Sequence, residues 1–212
     1  MKTDDLIHLL ATGAQPVHRH ALARRFVGAA LAGAVLAGAL MALLFGPRAL
    51  TEDVIDPMFW GKLVFALAWA AGGWVLLLRL ARPGNTVARA LGAVALPPLV
   101  LAALAAAVWV QAAPDQRLAL LLGSTWRSCP FNIALLAVPA LALGLWALRG
   151  AAPTRPAAAG AGAGLLAGVL GAAAYAFHCP ETAAPFIAVW YVAGIALPTF
   201  AGAVLGRRLL RW

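Results

Sequence analysis

Six long apolar runs, each about as long as a membrane is thick, constrain this 212-residue chain more than any other feature. They lie at about 26–46, 58–78, 90–110, 131–148, 157–177 and 185–205. A helix rises 1.5 Å per residue, so ~20 residues cross ~30 Å of hydrocarbon. None of the runs alternates with period two, which excludes an outer-membrane barrel. The first run is longer than the apolar region of a signal peptide, roughly 7–15 residues, and about 25 residues precede it, so it reads as a retained helix. Composition agrees: 64% of residues are hydrophobic and 11% charged, too apolar for a water-soluble domain but suited to lipid. The expected fold is an all-α integral membrane bundle of six transmembrane helices, 26–212, behind a short cytoplasmic amphipathic segment, 1–25.

The net charge of +9 is not gathered into a basic face, so direct nucleic-acid binding is not expected. The basic residues punctuate the apolar runs instead and report orientation. With the N-terminus inside, Lys2, Arg19, Arg24, Arg25, Arg79, Arg82, Arg89, Arg149, Arg155, Arg207, Arg208 and Arg211 are cytoplasmic. Arg48, Lys62, Arg117 and Arg127 fall on the other side, four against twelve. This predicts a multi-pass protein of a bacterial inner membrane with both termini cytoplasmic. Trp60, Trp109, Trp126, Trp146, Trp190 and Trp212 fall near the predicted interfaces, and Lys62 is expected to snorkel to the outer one.

No Asp, Glu, His or Arg stands at mid-membrane depth, which argues against a transporter or metal exporter. The helices carry small-residue steps instead, Gly160-Gly164-Gly168 and Gly202-Gly206. These allow close backbone approach within the bundle or across a homodimer, the former preferred. Pro97, Pro98, Pro139 and Pro198 are expected to kink their helices.

The arm begins with a helix. Thr3 can cap it, Asp4 and Asp5 match its dipole, and Leu6, Ile7, Leu9 and Leu10 form an apolar side. Gly13 and Pro16 end it, before the basic residues Arg19, Arg24 and Arg25. Such a helix either lies on lipid or lays its apolar face into a partner's groove.

The only two cysteines, Cys129 and Cys179, fall on the outer side, each followed by proline. Three readings fit them: a structural disulfide in an oxidising compartment, a redox switch, or a metal-responsive site. In the last, His178 and Glu181 would complete a set for Cu(I), Zn(II) or Cd(II). No cofactor is obligatory under any of the three.

The segments Met1-Lys2-Thr3-Asp4-Asp5-Leu6-Ile7, Phe59-Trp60-Gly61-Lys62-Leu63, Trp126-Arg127-Ser128-Cys129-Pro130, His178-Cys179-Pro180-Glu181 and Val189-Trp190-Tyr191-Val192-Ala193-Gly194-Ile195 follow one another in order. So does the closing Arg207-Arg208-Leu209-Leu210-Arg211-Trp212. Together they resemble the NrsF family, negative regulators of sigma F, over nearly the whole chain. The resemblance implies a six-helix inner-membrane anti-sigma factor, not an enzyme, that holds an extracytoplasmic-function sigma factor inactive. It also implies that Cys129 and Cys179 are linked to a response to heavy-metal or related stress. Sigma-factor binding would fall on the cytoplasmic arm, with Lys2, Asp4, Asp5, Leu6, Ile7, Leu9 and Leu10 as contacts. A membrane thiol–disulfide oxidoreductase is the other alternative, weakened by the presence of a single cysteine pair.

Overall fold

The computed structural model describes residues 3–12, 21–47, 57–82 and 86–210. Lys2, Gly13, Pro16, Arg19, Arg211 and Trp212, and the side chain of Leu10, lie outside the described residues. Eight helices are described: α1 (Thr3–Thr12), α2 (Ala21–Leu44), α3 (Pro57–Leu80), α4 (Ala88–Gln111), α5 (Pro114–Leu122), α6 (Cys129–Arg149), α7 (Pro156–Tyr175) and α8 (Ala184–Leu209). No strand occurs among the described residues. Six of the helices, α2, α3, α4, α6, α7 and α8, are long and apolar enough to cross a membrane. The fold is therefore an all-α membrane bundle.

α7 is the central post. It packs against α8, α6, α3 and α2, and nearly every side of it is buried because its sequence is mostly Ala and Gly. The glycines of the small-residue steps do their work inside the chain. A Cβ at Gly160 would strike the backbone of Gly202, one at Gly164 would strike Pro198, and one at Gly168 would come within 2.9 Å of the Ile195 carbonyl oxygen. Lipid offers helices no hydrophobic gain on association, so this close van der Waals fit is what holds α7 to α8. α4 is the peripheral helix, resting on α3 and the first turn of α8 with Leu91, Leu96, Leu99, Val100 and Leu104 facing outward.

Pro97, Pro98, Pro139 and Pro198 lie within continuous helices. A further irregularity is a π-helical turn over Ile187–Tyr191 in α8. The wider turn brings Ile187 and Tyr191 inward together, at 3% and 2% exposure. Such turns tend to mark functional positions.

Candidate functional site

One end of the bundle gathers both cysteines. Cys129 opens α6, where Pro130 is tolerated because the amides of a first turn have no intrahelical partner. Cys179 sits in the loop joining α7 to α8, its N–H donating to the Tyr175 carbonyl at 2.9 Å. The two thiols are unbridged and buried, at 0% and 1% exposure, and the Cys129 S–H donates to the Cys179 sulfur. That hydrogen bond does most to draw the Cys179 thiol below the ordinary thiol range, against the opposing effect of burial. The Glu181 N–H, the Tyr191 hydroxyl and the Lys62 ammonium pull in the same direction. The Tyr191 hydroxyl, placed by the π-turn, has no other partner among the described residues.

Lys62 corrects an expectation. Rather than snorkelling to the interface, it is 4% exposed and turns beneath the Cys179 loop. Its Nζ donates to the carbonyls of Cys179 and Glu181, each at 3.0 Å. A buried ammonium is costly unless its donors are matched, and these two carbonyls take two of its three N–H groups.

Glu181 completes the fastening. Its Oε1 accepts from the Ser124 N–H at 2.7 Å, the Ser124 hydroxyl at 2.6 Å, the Thr125 N–H at 3.2 Å and the Thr125 hydroxyl at 3.3 Å. Gly123 is required beside it: its φ of +54° suits glycine, and an added Cβ would press on the carboxylate. Through these bonds the loop bearing Cys179 is tied to the loop that enters α6 at Cys129.

His178 faces away from this cluster. Its Nδ1 lies 3.0 Å from the Gly46 carbonyl, which can only accept, so Nδ1 carries the proton. Its ring packs against Phe45 and Tyr175 in tilted contacts, at centroid distances of 5.3 and 5.7 Å. The structure thus joins Cys129 to Cys179 and commits His178 and Glu181 to other partners. Among the described residues, no three His, Cys, Asp or Glu side chains are grouped to hold a metal ion.

The opposite end of α6 carries a second tie. The Arg25 guanidinium, near the start of α2, lies 4.1 Å over the Trp146 ring and donates from Nη2 to the Trp146 carbonyl at 3.0 Å. Gly150 has no Cβ where one would collide with that guanidinium. From Cys129 to Trp146, α6 covers about 25 Å. One helix therefore reaches from the thiols to the root of the N-terminal arm. In that arm, α1 has Asp4 and Asp5 in its first turn, with Leu6, Ile7 and Leu9 exposed at 42%, 57% and 68%.

A family model described as "Negative regulator of sigma F", NrsF, matches residues 10–212. The chain belongs to the NrsF family. Across their full lengths it is 44% identical to the probable anti-sigma-F factor NrsF of Azospira oryzae and 40% identical to the anti-sigma-F factor NrsF of Caulobacter vibrioides. No solved structure matches the chain. A regulatory family is compatible with this site, whose polar groups fasten the chain around a pair of thiols.

Ser124 and Thr125 are site residues that motif reading passes over, and Lys62 and Tyr191 fall in the family-like segments without any sign there of a place beside the thiols. A lone cation inside an apolar run was the one available signal, at Lys62.

Proposed function

We propose that this NrsF-family anti-sigma factor keeps a sigma factor of the extracytoplasmic-function, sigma F type at a bacterial inner membrane. It releases that partner when the Cys129–Cys179 pair is modified. The cytoplasmic arm supplies the contacts, Lys2, Asp4, Asp5, Leu6, Ile7, Leu9 and Leu10; of these, Leu6, Ile7 and Leu9 stand exposed on α1. The excess of Lys and Arg on the arm side supports its cytoplasmic orientation. Lipid surrounds the bundle, and a homodimer is compatible with this role.

The observation that carries the reading is the division of features along α6, with a buried dithiol at its N-terminus and the arm's anchoring arginine at its C-terminus. Two signals act on a dithiol. Oxidation forms one S–S bond and sends two protons and two electrons to an oxidant. Alternatively, a soft ion displaces the thiol protons. With His178 and Glu181 engaged elsewhere, two sulfurs suit an ion of low coordination number such as Cu(I) better than Zn(II), which takes four ligands. Tenfold weakening of sigma-factor binding needs a difference of only about 1.4 kcal/mol between the two states.

Co-purification of the full-length protein with sigma factors of its host tests the reading. Retention of a sigma factor that is lost on deleting residues 1–25 is the expected result. Absence of any sigma factor from the intact protein overturns it.

A further inference from the structure

Both thiols are sealed from solvent, yet a sensor has to meet its signal. Cys179 lies in the short loop of residues 178–183, which crosses from α7 to α8 against Cys129 and includes the exposed Pro180 and the half-buried Glu181. Among the described residues, and apart from its two ends, two polar fastenings hold it. Lys62 grips the Cys179 and Glu181 carbonyls from below. The Glu181 carboxylate grips Ser124 and Thr125 from above, through four donors.

The fastenings differ in character. Lys62 is buried among helices, whereas Ser124 is exposed at the surface, so the carboxylate clasp is the one that water can open. The clasp also joins the two stretches of chain that carry the thiols, because Thr125 accepts from the N–H of Cys129 at 2.9 Å. Opening it frees both sides of the pair together.

We propose that Glu181 is the latch of a lid that carries Cys179 and closes against Cys129, and that its opening sets which agents reach the thiols. The lid admits small thiophiles, such as a metal ion or a peroxide, and excludes reagents too large to pass a locally opened loop. This rests on the reading of the pair as the signal site, but the lid itself can be tested without any sigma factor.

These are the only cysteines in the chain, so alkylation of the full-length protein in lipid nanodiscs, followed by intact mass, reports on them alone. The probes are N-ethylmaleimide and a maleimide carrying a 5-kDa polymer (about that size by choice of reagent). For the native protein the expected result is slow labelling by the small probe and still slower labelling by the large one. Glu181→Ala should label with N-ethylmaleimide at least about tenfold faster, equivalent to about 1.4 kcal/mol of lost closure. Glu181→Gln, which keeps an acceptor oxygen but no charge, should fall between. Ser124→Ala with Thr125→Val, which leaves Glu181 in place, should also accelerate labelling.

Gly72→Ala serves as the control, since its Cβ would press on the Ala93 carbonyl oxygen at 2.7 Å and loosen the α3–α4 contact, not the helix pair that the loop joins; it should leave the labelling rate unchanged. The proposal is overturned if the native protein labels as fast as a free thiol, if Glu181→Ala labels no faster than native, or if Gly72→Ala accelerates labelling equally, since exposure would then come from global unfolding. Should Glu181→Ala fail to fold, Glu181→Gln and the Ser124/Thr125 variant carry the same comparison. A lid that opens as expected, in a protein whose sigma-factor binding ignores thiol modification, would leave the latch standing and refute the signalling role.

Discussion

Replacing Gly164 by alanine adds one methyl group at the tightest part of the bundle. The new Cβ would collide with the Pro198 carbonyl oxygen and lie 2.8 Å from both the Pro198 carbonyl carbon and the Thr199 Cα. Carbon atoms pack best at ~3.5–4.0 Å, so α7 and α8 must part by roughly 0.7–1 Å. A gap of that size forfeits about a quarter to a half of each van der Waals contact across it. The loss spreads to Gly160, Gly168, Gly202 and Gly206, which share the interface. Overpacking of this kind costs about 1–3 kcal/mol, and the shared interface places Gly164→Ala toward the upper end. Gly28→Ala and Gly38→Ala are the comparisons, because a Cβ at either meets nothing within 4 Å. Each should change stability by no more than about 1 kcal/mol, in the stabilising direction, through helix propensity. Reversible unfolding in mixed micelles, followed by helical circular dichroism, measures all three. A Gly164→Ala value within about 0.5 kcal/mol of Gly38→Ala would refute the idea that glycine contact holds α7 to α8.

Further outcomes follow from single contacts. Lys62→Met leaves the Cys179 and Glu181 carbonyls without their donor. Part of that cost is offset by removing a buried charge, so a net loss of about 1–3 kcal/mol is expected in the same unfolding assay; no loss would mean that the ammonium does not hold the loop. Arg25→Ala removes both the cation–π contact and the bond to Trp146, for about 1–2 kcal/mol. Gly150→Ala should match it by displacing the guanidinium, and stability unchanged in both would rule out this tie. The thiolate is the nucleophile, so with the Cys179 thiol drawn below the ordinary thiol range its alkylation should rise and level off at a lower pH than that of a free cysteine. Cys129→Ala deletes the donor that contributes most, and should move that rise upward toward the ordinary thiol range. An unshifted pH profile would assign the lowering to another group.

The six spans were legible because hydrocarbon thickness dictates their length, and the same solvent hid their interior details. In lipid an outward Leu and an inward Leu are equally acceptable, so the extra residue of the π-turn at Ile187–Tyr191 leaves no trace in the pattern. α6 begins at Cys129 rather than at Phe131 because Ser128-Cys129-Pro130 supplies a first turn that no apolar count includes. The cysteines could be assigned to one face from topology, but their contact depends on how the α7–α8 loop folds back over α6. Lys62 looked like a snorkelling residue because sequence does not reveal which carbonyls lie above it. His178 and Glu181 looked like metal ligands for the same reason: Gly46 lies 132 residues from His178, and Ser124 lies 57 from Glu181. The tie between Arg25 and Trp146, 121 residues apart, had no local signal at all.

The central claim is that the state of one dithiol governs binding at the other end of the bundle. Its most direct test is the affinity of the nanodisc-embedded protein for its sigma factor, measured on the reduced protein and again after the thiols are oxidised with diamide or loaded with Cu(I). The account predicts tight binding when reduced and at least about tenfold weaker binding once the pair is modified. A Cys129→Ser/Cys179→Ser double variant should bind tightly under every condition. Equal affinity of the native protein before and after modification would contradict the account.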